Sequence, residues 1–128
     1  MTRLLKVVTM GSAAAVLAGC SVTPISAFQS TYSDTKATSP RIFQSKSNLE
    51  AASKCAMRNI EDRIASFHAL YSQEPAKPGT KEIRVRSEVG VAAVVEISEA
   101  VSGSAITVWI SNHYPLKGSL ADRIANGC

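Results

Sequence analysis

Between positions 83 and 110 the apolar side chains recur at every second residue, which is the period of β-strands that bury one face. The apolar positions are odd up to 97 and even from 106 onward. If they share one face of an antiparallel sheet, the first turn must contain an odd number of residues and the second an even number. The alternating residues are Ile83, Val85, Val91, Ala93, Val95, Ile97, Ile106, Val108 and Ile110.

Two turns satisfy this condition and fix the register of a three-stranded antiparallel β-meander. Glu88-Val89-Gly90 makes a three-residue turn, and Gly90 tolerates the left-handed backbone that the last position requires. Residues 100–103 make the second, four-residue turn. The predicted cross-strand pairs are Ser87 with Val91, Val85 with Ala93, Ile83 with Val95, and Ile97 with Ile106.

Helical periods flank the predicted strands. Ser47-Asn48-Leu49-Glu50 has the form of a capping box, and apolar residues then recur at three- and four-residue steps to Tyr71. This predicts one amphipathic helix of about 24 residues. The pattern from Ser119 to Asp122 predicts a short helix that Gly127 ends. We therefore predict an α+β domain, with a long N-terminal helix packed on the three-stranded meander and a short C-terminal helix on the same side.

The N-terminus has the pattern of a secretory signal. Arg3 and Lys6 precede an apolar and small-residue run from Val7 to Leu17, with no acidic residue. A membrane-spanning helix needs about 20 apolar residues, which is more than this run provides. We expect the segment to direct export and then to be removed.

The run ends in Leu17-Ala18-Gly19-Cys20, which resembles the lipobox of bacterial lipoproteins. The resemblance covers residues 1–20 and implies that Cys20 receives a lipid, that signal peptidase II cleaves before it, and that its new amine is acylated. Several acyl chains hold a protein stably at a membrane, whereas one chain holds it marginally. Ser21 follows the cysteine, which by the family's sorting rule implies the periplasmic face of the outer membrane. The alternative is an ordinary secretory signal cleaved elsewhere.

This interpretation divides the chain into a signal peptide (1–19), a lipidated tether (20–47) and a folded domain (48–128). Ser and Thr supply 11 of the 27 residues from 21 to 47, as is typical of flexible linkers. A coil of this length reaches on the order of 30 Å. In the alternative left open, some of its larger apolar side chains pack on the domain. These are Phe28, Tyr32, Ile42 and Phe43.

Two cysteines remain in the predicted domain, Cys55 and Cys128. In an oxidising periplasm they are expected to form a disulfide, because they form the single available pair once Cys20 is lipidated. A catalytic thiol or a metal site is the competing interpretation. Neither cysteine has a CxxC partner or a histidine at ligand spacing, so we do not favour it.

The predicted register places a different set of side chains on the opposite face of the sheet. An open face with one aromatic ring, small apolar neighbours and two arginines is typical of a recognition surface. In the alternative, the tether or the terminal helix covers this face and Trp109 belongs to a second small core. The candidate partner surface consists of Arg84, Arg86, Val94 and Trp109.

The sequence contains none of the local signatures of phosphate loops, dinucleotide sites, zinc proteases or hydrolase elbows. We therefore predict no catalytic residues, no metal and no cofactor. His68 and His113 are far apart, and we interpret them as surface or capping residues. Arg3 and Lys6 account for two of the 14 basic residues, which leaves 12 basic against 10 acidic side chains after the signal. That balance is too weak to indicate nucleic-acid binding.

The layout is loosely similar to small uncharacterised proteobacterial lipoproteins. In outline it also resembles the small lipoproteins that accompany outer-membrane assembly machines, although their linear motifs are absent. We expect a noncatalytic binding or accessory module of the cell envelope, with a protein or glycan partner. The alternatives are a purely structural envelope lipoprotein without a dedicated partner and, less favoured, a small enzyme or inhibitor.

Overall fold

A computed structural model describes residues 29–73 and 77–128, which form one antiparallel sheet and three helices. The strands follow the order β1-β5-β4-β3-β2 across the sheet, so that β4 is central and β1 and β2 are the edges. In chain order the elements are α1 (Tyr32–Lys36), β1 (Arg41–Ser45), α2 (Leu49–Arg63), β2 (His68–Tyr71), β3 (Thr80–Ser87), β4 (Gly90–Ala100), β5 (Gly103–Ile110) and α3 (Lys117–Ala125).

Helices α2 and α3 pack on one side of the sheet, which we call the first face. Ala52, Ala56 and Ile60 lie one helical turn apart on α2 and are fully buried. The two alanines allow the helix backbone to approach the strands closely. Ala121 and Ile124 bury the corresponding side of α3. The strands contribute the branched residues of this core, namely Ile83, Val85, Val95, Ile97, Ile106, Val108 and Ile110.

The register predicted for β3, β4 and β5 is confirmed except near the first turn. Val85 pairs with Ala93, Ile83 with Val95, and Ile97 with Ile106, as the alternation predicts. The predicted pair of Ser87 with Val91 is wrong, because a bulge shifts the register and Ser87 pairs with Gly90 instead. The bulge gives β4 one extra residue, which increases the local twist of the strand.

The predicted three-stranded meander is wrong, because the sheet has five strands. Strand β2 pairs with β3 over the register from His68–Arg86 to Tyr71–Ile83. Strand β1 pairs with β5 over the register from Arg41–Val108 to Ser45–Ser104. Strands β1 and β2 therefore pair with backbone N–H and C=O groups of β5 and β3 that would be unpaired at the edges of a three-stranded sheet.

The predicted long N-terminal helix is also wrong, because α2 ends at Arg63. Ile64 has extended backbone and Ser66 has a positive φ of 73°, so the chain turns here. Ile64 and Phe67 remain buried, as their helical spacing predicts, but they reach the core from the turn. The predicted start of the helix is correct to within one residue, and the Asn48 side chain accepts a hydrogen bond from the Ala51 amide at 2.9 Å.

Part of the segment predicted as a tether belongs to the fold. Residues 32–36 form α1, and residues 41–45 form β1 with Phe43 facing Ile106. The hydroxyl groups that made this segment resemble a linker bind backbone carbonyl groups of the domain instead. Thr35, fully buried, donates to the Val91 carbonyl at 2.8 Å, and Ser45 donates to the Cys128 carbonyl. The signal, Cys20 and residues 20–28 of the tether lie outside the described residues.

The predicted disulfide between Cys55 and Cys128 is confirmed. It joins α2 to the segment after α3, with the two Cα atoms 5.6 Å apart and a sequence separation of 73. Beside it, the Asn59 side-chain amide donates to the Ile124 carbonyl at 2.9 Å and to the Asn126 carbonyl at 2.8 Å. One buried side chain therefore satisfies carbonyl groups that the end of α3 leaves without a helical partner.

Replacing both Cys55 and Cys128 with serine is expected to lower the free energy of unfolding. A loop of this length corresponds to about 4 kcal/mol in the chain-entropy model. Urea unfolding of the oxidised protein and of the double variant measures the difference. A reducing agent should destabilise the original protein and leave the variant unchanged. Equal stability of the two oxidised proteins would contradict this prediction.

Candidate interaction site on the second face

The side of the sheet opposite α2 and α3, which we call the second face, carries the residues singled out from the sequence. Arg84 pairs with Val94, and Val94 pairs with Trp109, so these three residues form one cross-strand row. Leu70 on β2 extends this row, because it pairs with Arg84. The neighbouring row consists of Glu82, Glu96 and Thr107.

Helix α1 covers the middle of the second face. Val94 is fully buried, and Thr35 is fully buried beside β4, where it donates to the Val91 carbonyl. The ammonium group of Lys36 lies 3.6 Å from the centroid of the Trp109 ring, and Trp109 is half-buried. Helix α1 therefore covers Val94 and part of Trp109.

A cluster of Tyr32, Glu82 and Arg84 continues the contact between α1 and the sheet. The Tyr32 hydroxyl donates to Glu82 Oε2 at 2.7 Å, and the Arg84 guanidinium lies 4.2 Å from the centroid of the Tyr32 ring. Arg84 Nε also donates to Glu82 Oε1 at 3.0 Å. The cluster neutralises Glu82 and orients Arg84, since one carboxylate accepts from both neighbours.

Beyond this cluster the second face is open at the pair of strands β2 and β3. A depression of about 270 Å³ lies there, which we call the β2–β3 groove. Leu70 is 70% exposed at this groove, and Arg86 is exposed beside it. Among the described residues Arg86 forms no ion pair. The groove is lined by His68, Leu70, Tyr71, Ser72, Gln73, Arg84 and Arg86.

The structure thus separates the four residues of the candidate partner surface into two pairs. Val94 and Trp109 lie under α1, as in the alternative in which the segment before the domain covers this face. Arg84 and Arg86 reach the β2–β3 groove. The arrangement combines the exposed side chain of Leu70 with the exposed guanidinium group of Arg86, which suits a partner that offers an apolar group beside a carboxylate.

Sequence reasoning missed Leu70 and His68 because it assigned both to the long helix. The available signal was weak, since the strand His68–Tyr71 has only four residues. The sequence His-Ala-Leu-Tyr does not alternate between polar and apolar residues, so nothing in it distinguishes a strand from the continuation of the helix.

The other chemistry-bearing side chains form no recognisable catalytic arrangement on the described residues. His68 lines the β2–β3 groove, whereas His113 is not among the lining residues. Within residues 29–73 and 77–128, no group of three or more His, Cys, Asp or Glu side chains is placed to hold a metal ion. In the same part of the chain no helix is long and apolar enough to cross a bilayer.

Comparison of the chain with protein-family models, with curated proteins and with solved structures found no significant match.

The Tyr32 phenol is expected to titrate late. Burial, followed by the hydrogen bond to Glu82, raises the pKa of Tyr32 from its ordinary value of 10.0 to about 12. The fold therefore favours the neutral phenol, and this stabilising contribution is complete below pH 10.0 and lost as the pH rises towards about 12. Ultraviolet titration of the three tyrosines should show a last ionisation step near pH 12.

The Tyr32→Phe variant should lose this last step, while the control Tyr71→Phe should keep it, because Tyr71 is not part of the Glu82 cluster. If Tyr32→Phe keeps the late step, Tyr32 does not donate to Glu82 in solution.

Proposed function

We propose that this protein is a noncatalytic binding module of the cell envelope, anchored by lipid at Cys20 to the periplasmic face of the outer membrane, and that it binds an envelope protein through the β2–β3 groove. The anchoring follows from the lipobox-like sequence Leu17-Ala18-Gly19-Cys20 at the end of the signal pattern. The disulfide is consistent with export, because such bonds persist in oxidising compartments.

The exposed side chain of Leu70 is the observation that carries the binding proposal. It is exposed on the second face in the same row as Arg84, beside the β2–β3 groove, whereas Ile42, which is also exposed on this face, lies on the opposite edge strand β1. Burying one leucine side chain contributes about 1.5 to 3 kcal/mol, and arginine is frequent among the residues that dominate interface energies. A partner that covers Leu70 and pairs with Arg86 would gain from both effects.

The charge and geometry of the groove favour an extended polypeptide with an apolar side chain next to a carboxylate. Arg84 and Glu82 offset each other's charge, so Arg86 supplies the net positive charge on the open side. Strand β2 is an edge of the sheet, where an added strand can pair with the backbone. A glycan is less favoured, because Lys36 occupies the exposed side of the Trp109 ring, on which a sugar would stack.

Photocrosslinking in living cells tests this proposal. Benzoylphenylalanine in place of Leu70 should give a discrete protein adduct. The same amino acid in place of Val101 is the matched control, because Val101 is a fully exposed apolar residue in the turn between β4 and β5, far from the groove. The charge reversal Arg86→Glu should lower the yield of the Leu70 adduct by about tenfold without lowering the amount of protein.

An adduct that forms equally at both positions, or that Arg86→Glu does not weaken, would contradict the groove as the binding site. No adduct at either position, with the protein present at its normal level, would favour the purely structural lipoprotein.

A further inference from the structure

The chain is fixed to the sheet at Ser30, close to its entry into the fold. The Ser30 amide donates to the Val89 carbonyl at 2.6 Å, and the Val91 amide donates to the Ser30 carbonyl at 2.9 Å. The Ser30 and Ser111 hydroxyl oxygens lie 2.6 Å apart. Ser30 is only 8% exposed, and a Cβ at Gly90 would lie 2.3 Å from its carbonyl oxygen. The close approach therefore requires glycine at position 90.

The direction of the chain at this point shows from which side it arrives. The bridge between Ser30 and Gly90 is parallel, and β4 runs from Gly90 away from the turn between β3 and β4. The chain therefore reaches Ser30 from the side of that turn, where Gln29 lies. Gln29, which precedes Ser30, is exposed.

The distance available between Cys20 and this fixed point is short. A fully extended chain spans at most about 3.6 Å per residue, so the ten steps from Cys20 to Ser30 cover at most ~36 Å. Strand β4, with its 11 residues, is about as long at roughly 3.3 Å per residue. The segment from Cys20 to Ser30 is thus no longer than strand β4, and it joins the domain at one end of the sheet.

We infer that the end of the domain bearing the β3–β4 turn lies against the phospholipid surface that holds Cys20. This inference rests on the proposed lipid anchor. The same end carries the loop after β5, because Tyr114 and Ser87 are joined through their hydroxyl groups at 2.6 Å. We call this surface the membrane-proximal end, and it comprises Arg86, Glu88, Val89, His113, Leu116 and Lys117.

The chemistry of the membrane-proximal end suits a phospholipid headgroup layer. Leu116 is 69% exposed and can enter the boundary between headgroups and acyl chains. Arg86 and Lys117 are cationic, and anionic lipids attract such groups. Glu88 opposes them, so the attraction alone is weak. The lipid anchor makes this weak attraction sufficient to orient the domain, because the short tether keeps the membrane-proximal end at a high effective concentration near the lipid.

This orientation also places the β2–β3 groove. His68 pairs with Arg86 at the same end of the sheet, so the groove opens close to the membrane. A partner would then meet it within the reach of the short connection, either as a membrane-bound protein or as a segment that lies near the bilayer.

Fluorescence quenching in vesicles tests the orientation. The full lipidated chain is reconstituted in vesicles of phosphatidylethanolamine and phosphatidylglycerol that contain a lipid with a quencher on its headgroup. Trp109, the single tryptophan, is replaced by phenylalanine, and one tryptophan is introduced by Leu116→Trp or by Val101→Trp. The two positions are exposed apolar residues at opposite ends of the domain. We expect quenching to be several-fold stronger at position 116 than at position 101.

A Gly/Ser insertion of about 30 residues after Ser21 should remove most of this difference, because the connection then no longer holds one end near the surface. Equal quenching at the two positions or stronger quenching at 101 would overturn the inference. An unchanged difference after the insertion would support it and show that the surface of this end, without the short connection, holds the orientation. The mass of the reconstituted protein shows whether the lipid is attached, and so distinguishes a failure of the inferred orientation from a failure of the proposed anchor. A protein that carries the lipid but shows no difference overturns the orientation alone, whereas a protein without the lipid overturns the anchor and the orientation together.

Discussion

The attachment of residues 29–45 to the sheet determines most of what the second face can do. Ser30 pairs with the β3–β4 turn, Thr35 binds the Val91 carbonyl, and β1 completes the edge beside β5. Each of these contacts satisfies a backbone group that would otherwise lose its hydrogen bond on burial, which costs about 1 to 3 kcal/mol. Without this segment the second face would expose Val94 and Trp109, and β5 would be an open edge.

The two faces of the sheet are stabilised by different means. The first face has an apolar core between the branched residues of the strands and the two longer helices, and the disulfide joins α2 to the end of the chain beyond α3. The second face depends on one short helix, a tyrosine, two cation–ring contacts and a hydroxyl hydrogen bond. These contacts extend as far as Arg84, and the β2–β3 groove lies beyond it, where α1 no longer covers the sheet.

The sequence was informative where a periodic pattern was long and one face was buried. Alternation in β3, β4 and β5 fixed which residues pair, because a slip of one residue would expose every apolar side chain. It did not reveal the bulge, in which Ala92 is the extra residue, because residues 91–95 are all apolar and show no alternation. The pairing of Cys55 with Cys128 followed from the count of cysteines and the expected compartment.

The edges of the sheet were not predictable in the same way. β1 and β2 have five and four residues, and short strands carry too few positions to establish a period. The helical spacing of Ile64, Phe67 and Tyr71 persisted through a turn, so β2 was assigned to the helix. The Ser and Thr content before Asn48 was typical of a linker, although Thr35 and Ser45 are buried partners of backbone carbonyls. Arg84 and Arg86 lie on the second face, as the alternation predicts, whereas Leu70 and His68 depended on a strand that the pattern did not show.

The central claim is that the chain from Ser30 onward is a structural part of the domain. Native-state hydrogen exchange of the Ser30 amide tests it most directly, with the Ser111 amide as the internal reference, because Ser111 donates to the Ala92 carbonyl of the central strand at 2.8 Å. If the segment is integral to the fold, the two amides should open with similar free energies. If the Ser30 amide exchanges at the rate of an unfolded chain while the Ser111 amide remains protected, the segment is a tether and the account is wrong.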